Sequence, residues 1–225
     1  MPLISVVVPV YNEAKTIKQI IEKIQSVNID KEIIIIDNSS TDDTHKILRG
    51  LAYDNLKIIY HSSNRGKGAS CRTGIDNSNG EYIVIQDADL EYDPNDYLRL
   101  YEALKDDKAD MVLGARFFKG YHGLLLHRLG NRFLTSTLNF LFGSKLNDYA
   151  TCYKMARREA FNRLGLQATG FDIEVEIICK ALRSGFRIKE VHASYYPRSY
   201  REGKKIRVND AFRSVFAMFK YKFGR

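Results

Sequence analysis

Five apolar stretches, "LISVVVPV", "KEIIIID", "LKIIYH", "EYIVIQD" and "ADMVLGAR", recur through the first half of this chain and leave little choice of fold. All but the last are rich in Ile or Val, and they run too continuously for a strand with one wet face. Strands of this kind are buried on both sides. Between the first two, Ile17, Ile20, Ile21 and Ile24 recur at i, i+3, i+4 and i+7, the apolar stripe of a helix lying on a sheet, and Ile47, Leu48 and Leu51 sketch a second. Asp93, Pro94 and Asp96 supply an N-cap, a proline at N1 and an acid at N3 for a helix through Leu98, Leu100, Tyr101 and Leu104. Strands alternating with helices predict an α/β fold, a mixed, mainly parallel sheet with helices on both faces.

Past Arg116 the alternation stops. Residues 123–146 are apolar, yet His127, Arg128, Asn131 and Arg132 interrupt the run, so it lacks the ~18 unbroken apolar residues of a membrane span. "GFDIEVEIICKALRSG" reads as a helix ended by Gly185, followed by the strand-like "FRIKEVHASYY". No linker or repeat divides the 225 residues. The expected organisation is one domain over 1–206 and a C-terminal helix over 207–225. Cys71, Cys152 and Cys179 are widely spaced, which points away from a disulfide framework or a zinc knuckle and towards a reducing cytosol. The N-terminus has no signal-peptide pattern. A net charge of +8 attracts nucleic acid, anionic lipid or phosphorylated substrates.

In open α/β sheets ligands bind off the carboxyl ends of the strands. The residues there are polar: Pro9, Tyr11, Asn12 and Glu13; Asp37, Asn38, Ser39 and Ser40; Asn64, Arg65, Gly66 and Lys67; then Asp87 and Asp89. Turns and caps account for many Asn, Asp and Ser. Two carboxylates one residue apart are different, because they repel unless a cation joins them. Leaving a strand at i and i+2, Asp87 and Asp89 point to one side, with Glu91 following, and a hard cation such as Mg2+ or Mn2+ would complete its shell with substrate phosphates. That implies a diphosphate ligand. The loop "NRGKGAS" is neither a Walker A motif nor GxGxxG, and it serves as a turn before a helix or brings Lys67 to a phosphate.

"PRSYREGKKIR" gathers Arg198, Arg201, Lys204, Lys205 and Arg207, either as a solvated loop or as an anion site. Beyond it Val208, Ala211, Phe212, Val215, Phe219 and Phe223 fall at helical spacing, with Arg213, Lys220, Lys222 and Arg225 among them. A basic amphipathic helix suits a membrane surface or a docking partner, and core packing is the alternative.

Together, "VVVPVYNEA", "IIIIDNSSTDDT", "NRGKGASCRTGI", "YIVIQDADLEYDP" and "VLGAR" resemble glycosyltransferase family 2 enzymes of GT-A fold. "DYATCYKMARREAF", "GFDIEVEI" and "YYPRSYREGKKI" resemble its dolichyl-phosphate mannose synthase-like branch of polyprenyl-phosphate glycosyltransferases. The resemblance implies that Pro9, Tyr11, Glu13 and Asp37 contact the nucleotide. It makes Asp87, Ala88 and Asp89 the DxD motif, with Glu91 a further metal ligand where relatives commonly have Gln. Arg116, Arg128, Arg198 and Lys205 fall where relatives hold the diphosphate and the acceptor phosphate, with Arg132 a rival to Arg128.

The activity so implied is an inverting, metal-dependent transfer from a nucleotide sugar of GDP-mannose or UDP-glucose type to a polyprenyl or dolichyl phosphate. It would take place peripherally at the cytosolic face of a membrane, alone or on a separate membrane subunit. An ionised acceptor phosphate needs no general base. A sugar-hydroxyl acceptor would need one, with Asp148, Glu174 and Glu176 as candidates, Glu176 being favoured by the resemblance. A basic module binding membrane or nucleic acid is the non-enzymatic alternative, and the carboxylate pair argues against it.

Overall fold

The structure, a computed structural model, describes residues 1–105, 108–116, 125–198 and 208–224. The first half alternates as expected: β1 (Ile4–Val10), α1 (Ile17–Ser26), β2 (Lys31–Asp37), α2 (Thr44–Arg49), β3 (Leu56–Tyr60), α3 (Lys67–Asp76) and β4 (Tyr82–Ile85). β1 pairs in parallel with β2 and β4, and β2 with β3. Val6, Val7, Val8, Ile33, Ile34, Ile35 and Ile36 are fully buried, which explains why β1 and β2 carry no polar alternation. β3, expected to be buried on both sides, instead lies at the sheet edge with Lys57 and Tyr60 exposed. α1 buries Ile17, Ile20, Ile21 and Ile24, and covering each such side chain contributes about 1.5–3 kcal/mol.

The second half adds α4 (Asp96–Leu104), β5 (Met111–Ala115), α5 (Leu125–Phe142), β6 (Lys154–Arg157), α6 (Arg158–Arg163), α7 (Ile173–Arg183), β7 (Ile188–His192) and α8 (Val208–Phe223). β6 runs antiparallel between β4 and β5, and the seven-stranded order is β3-β2-β1-β4-β6-β5-β7. This is the mixed, mainly parallel sheet the sequence predicts. β2 and β3 lie on one side of β1 and β4 on the other, so the strand order reverses between β1 and β4. A crevice opens at such a switch point, off the carboxyl ends of the two strands.

One helix differs from expectation. α4 begins at Asp96 rather than just after Asp93, because Asp93 Oδ1 accepts the Asn95 N–H at 3.0 Å and closes an Asx turn first. Asp96 is buried and faces Arg99 and the Ser194 N–H. α8 packs on α5 and α7 through Ala217 and Met218 and leaves Phe212, Phe216, Phe219 and Phe223 exposed. The expected boundary at 206/207 lies outside the described residues. Among the described residues no helix is long and apolar enough to cross a membrane.

Candidate active site

The strand ends at the switch point are strained. Asn12, Ser39 and Leu90, which follow β1, β2 and β4, have φ of 54°, 62° and 64°. Holding a side-chain-bearing residue there costs about 1–3 kcal/mol, so neighbouring bonds must fix it. They do so at the first two ends: Ser40 Oγ accepts the Asn12 N–H at 3.0 Å, and Asn12 Oδ1 accepts the Thr41 N–H at 2.8 Å. Asp37 lies beneath this lacing, with Oδ1 accepting the Ser40 N–H and Oδ2 3.0 Å from His45 Nδ1. Pro9 and Tyr11 are half-buried beside it, and Ala88 is buried.

Asp87 and Asp89 emerge from β4 as expected, and each meets a cation. Lys67 Nζ lies 2.7 Å from Asp87 Oδ1. Arg198 Nη2 lies 2.6 Å from Asp89 Oδ2, while its Nη1 lies 3.1 Å from Glu13 Oε2. Burial pushes the Asp87 carboxyl up, but Lys67, Cys152 and Lys154 together outweigh it and hold the group below its ordinary value. Asp89 is pushed up to about 7 by burial and by the charges of Asp87 and Glu91, against the pull of Arg198.

The expected third ligand, Glu91, does not join the pair. Its Oε2 accepts the Tyr195 hydroxyl and its Oε1 the Arg198 backbone N–H, each at 2.8 Å. The loop after β7 bridges to Tyr92 and captures Glu91 from the side. Among the described residues no group of three His, Cys, Asp or Glu side chains converges on one point. The donor set of Asp87 and Asp89 still fits a magnesium or manganese ion. It consists of two hard carboxylate oxygens leaving one strand end, with the remaining positions left to phosphates, and an ion held there would take the place of the Lys67 and Arg198 contacts.

Behind Asp87 runs a chain of buried charges. Lys67 Nζ is also 2.9 Å from Glu174 Oε1, and Glu174 Oε2 receives the fully buried Lys154 ammonium, which donates further to the Thr151 carbonyl. Asp87 and Glu174 hold Lys67 charged despite its burial. Sequence reasoning missed Lys154, since a lysine in the short β6 reads as a surface residue. The glycine loop has a steric purpose. A Cβ at Gly68 would sit 2.5 Å from the Ala168 carbonyl oxygen. The Gly68 and Ala69 N–H groups donate to Gly170 and Thr169. The first amides of α3 therefore face a loop rather than an anion.

Other expected residues have firm partners. Arg116 forks onto Asp148, with Nε at 2.7 Å and Nη2 at 2.8 Å, and stacks 5.1 Å from the Tyr195 ring centroid. Asn131 Nδ2 joins Asp148 at 3.1 Å. Glu176, expected to be catalytic, is fully buried and accepts the Gln167 and Ala168 N–H groups, with Lys180 Nζ 2.8 Å away. It clamps the 167–168 loop and is closed off from solvent. Arg128 and Arg132 are exposed on α5. Lys205 lies outside the described residues.

The family model described as glycosyl transferase family 2 matches residues 5–165. Glycosyltransferase AglJ of Haloferax volcanii is 30% identical over 198 residues, covering 87% of this chain and 63% of that protein. This chain thus spans less than two thirds of that relative. Polyprenol monophosphomannose synthase of Mycolicibacterium smegmatis is 26% identical over 209 residues, 86% of this chain and 77% of the relative. The crystal structure of glucosyl-3-phosphoglycerate synthase from Mycobacterium tuberculosis, which holds Mn2+, uridine diphosphate and glucosyl-3-phosphoglycerate, matches with a TM-score of 0.73 at 24% identity, over 99% of this chain and 80% of that one. The shared fold meets the GT-A expectation.

Proposed function

The chain belongs to glycosyl transferase family 2, and on that premise we propose that it moves a hexose from a nucleotide sugar to a polyprenyl or dolichyl phosphate, with inversion and with Mg2+ or Mn2+. The observation that carries this reading is the pairing of two strand-end carboxylates with fixed cations: Asp87 with Lys67, and Asp89 with Arg198. Asp87 and Asp89 would hold the ion, which when bound neutralises charge on the departing diphosphate. Arg198 supplies fixed positive charge at the same place. Its Nε is buried with no acceptor among the described residues, and a phosphate oxygen is the partner we assign to it. Arg116, Arg128 and Lys205 remain candidates for further phosphate contacts, and Pro9, Tyr11, Glu13 and Asp37 for the nucleoside.

The state of the candidate bases supports this acceptor class. Asp148 is forked by Arg116, Glu174 lies between two lysines, and Glu176 holds backbone amides. An acceptor hydroxyl would need a free base, whereas an ionised phosphate attacks without one. The name of the mycolicibacterial relative supports the same acceptor. A lipid acceptor places the work at a membrane surface, in our reading the cytosolic face. The exposed phenylalanines of α8, flanked by Arg213, Lys220 and Lys222, suit either direct contact or a separate membrane subunit.

The test is thermal stabilisation by nucleoside diphosphates and nucleotide sugars, with and without Mn2+ or Mg2+, followed by transfer assays on lipid phosphates. A metal-dependent shift with one nucleotide and transfer to lipid phosphate is expected, both lost in Asp89→Asn. Transfer to free saccharides with none to lipid phosphate would select the saccharide-hydroxyl reading instead.

A further inference from the structure

Away from the strand ends, α3 and α6 enclose a cleft of about 500 Å3. Arg72 and Asp76 of α3 line it, with Ser78, Arg158, Phe161 and Asn162 opposite. Arg72 is half-buried, and its Nε is shut off from solvent with no acceptor among the described residues. Buried donors in folded proteins are nearly always paired, so an acceptor for this one is missing from the described residues. Arg158 is also half-buried and is anchored through one N–H to the Ser78 carbonyl at 3.2 Å. A guanidinium has five donors, so this anchor leaves others for a ligand. Two arginines from different elements outweigh the single carboxylate of Asp76, and buried Phe161 and Ile75 form an apolar wall.

We propose that this cleft is a second anion site, separate from Asp87 and Asp89, that takes the phosphate group of a phosphate monoester. Its donors stand on different walls, and a tetrahedral phosphate presents oxygens in several directions at once, as a planar carboxylate does not. Forked, charge-assisted bonds from the arginines then hold the group. The apolar wall would receive the ester's organic part. The inference is independent of which sugar the chain transfers.

The test follows the arginine Nε–Hε NMR signals of the full chain, with the Arg72 signal assigned by its loss in Arg72→Lys. The protein is titrated separately with inorganic phosphate and with a short-chain phosphatidate. A saturable shift of the Arg72 signal below about 10 mM is expected. Saturation by inorganic phosphate supports a soluble phosphate ligand, and saturation by phosphatidate alone supports a lipid headgroup. Arg158→Gln should weaken the binding at least about tenfold. Asn162→Asp places a carboxylate at the exposed lip and should abolish it, whichever way Arg158→Gln folds. Asp89→Asn should leave it unchanged while eliminating nucleotide binding, which separates this site from the proposed active site. No saturation, or a shift indifferent to Asn162→Asp, means an adventitious ion only and overturns the proposal.

Discussion

Arg198 Nη2 stands 2.6 Å from Asp89 Oδ2, and the same guanidinium reaches Glu13, 185 positions away in sequence. One side chain thus joins the end of β1, the end of β4 and the loop after β7. Arg198→Ala is expected to lower kcat/KM by about 100-fold or more, with the fold intact. Arg198→Lys should recover only part of the loss, since a single ammonium nitrogen lacks the planar spread of donors through which the guanidinium reaches Asp89 and Glu13 and still turns Nε elsewhere. Steady-state kinetics beside thermal melts checks both, and full activity in the alanine variant would refute the assignment.

Glu176 predicts the opposite pattern. Glu176→Ala strips the acceptor from two amides and leaves Lys180 without its carboxylate, which should cost about 3 kcal/mol of stability. The kcat of the folded fraction should stay near the native value. Urea denaturation and an activity assay on folded protein distinguish this from a catalytic role, which would reverse the two effects.

Lys154 is fully buried against Glu174, and Lys154→Met leaves that carboxylate with Lys67 alone and the Thr151 carbonyl without its donor. The substitution should destabilise the protein by about 1–3 kcal/mol. Adding Glu174→Leu should give back part of that, so a double-mutant cycle reads positive coupling. Additive losses would show that the two side chains act independently.

At Gly68 the constraint is steric. With the added Cβ 2.5 Å from the Ala168 oxygen, Gly68→Ala must push α3 away from the 168–170 loop. A loss of about 1–3 kcal/mol is expected, together with weaker nucleotide binding, because Lys67 is the preceding residue. Calorimetric titration measures the second effect.

Glu32 supplies a pH dependence. Burial raises its carboxyl, but Ser5, Asn79 and Gly80 donate to it and together hold it below the ordinary value of 4.5. A depressed carboxylate stabilises the fold fully above the unfolded value and loses that contribution as pH falls through the lower folded value. The Tm gap between the native chain and Glu32→Gln should therefore be wide at about pH 7 and narrow at about pH 3. An unchanged gap would mean that the three donors do not favour the ionised form.

The sheet was legible because burial on both faces leaves a plain trace: four isoleucines in a row at Ile33 to Ile36 admit few other readings. Asp87 and Asp89 were legible because polar residues at strand ends are conspicuous. Partners distant in sequence were not. Nothing local distinguishes Glu174 from Glu176, yet two steps on a helix turn a side chain by about 200°. One glutamate therefore faces Lys67 while the other disappears beneath the 167–168 loop. Glu91 lies beyond the pair at the spacing of a third ligand until Tyr195, from the far end of the chain, takes it.

The antiparallel β6 bears on how the chain assembles as it leaves the ribosome. β1 to β4 pair among themselves, so that half of the sheet can close once Ile85 has been made. β5 pairs only with β6 and β7, both synthesised after it, and must wait as an unsatisfied apolar segment until the chain returns. During that interval β4 also presents an open edge. The nascent protein is therefore most prone to sticking to its neighbours between the appearance of Ala115 and the arrival of Arg157.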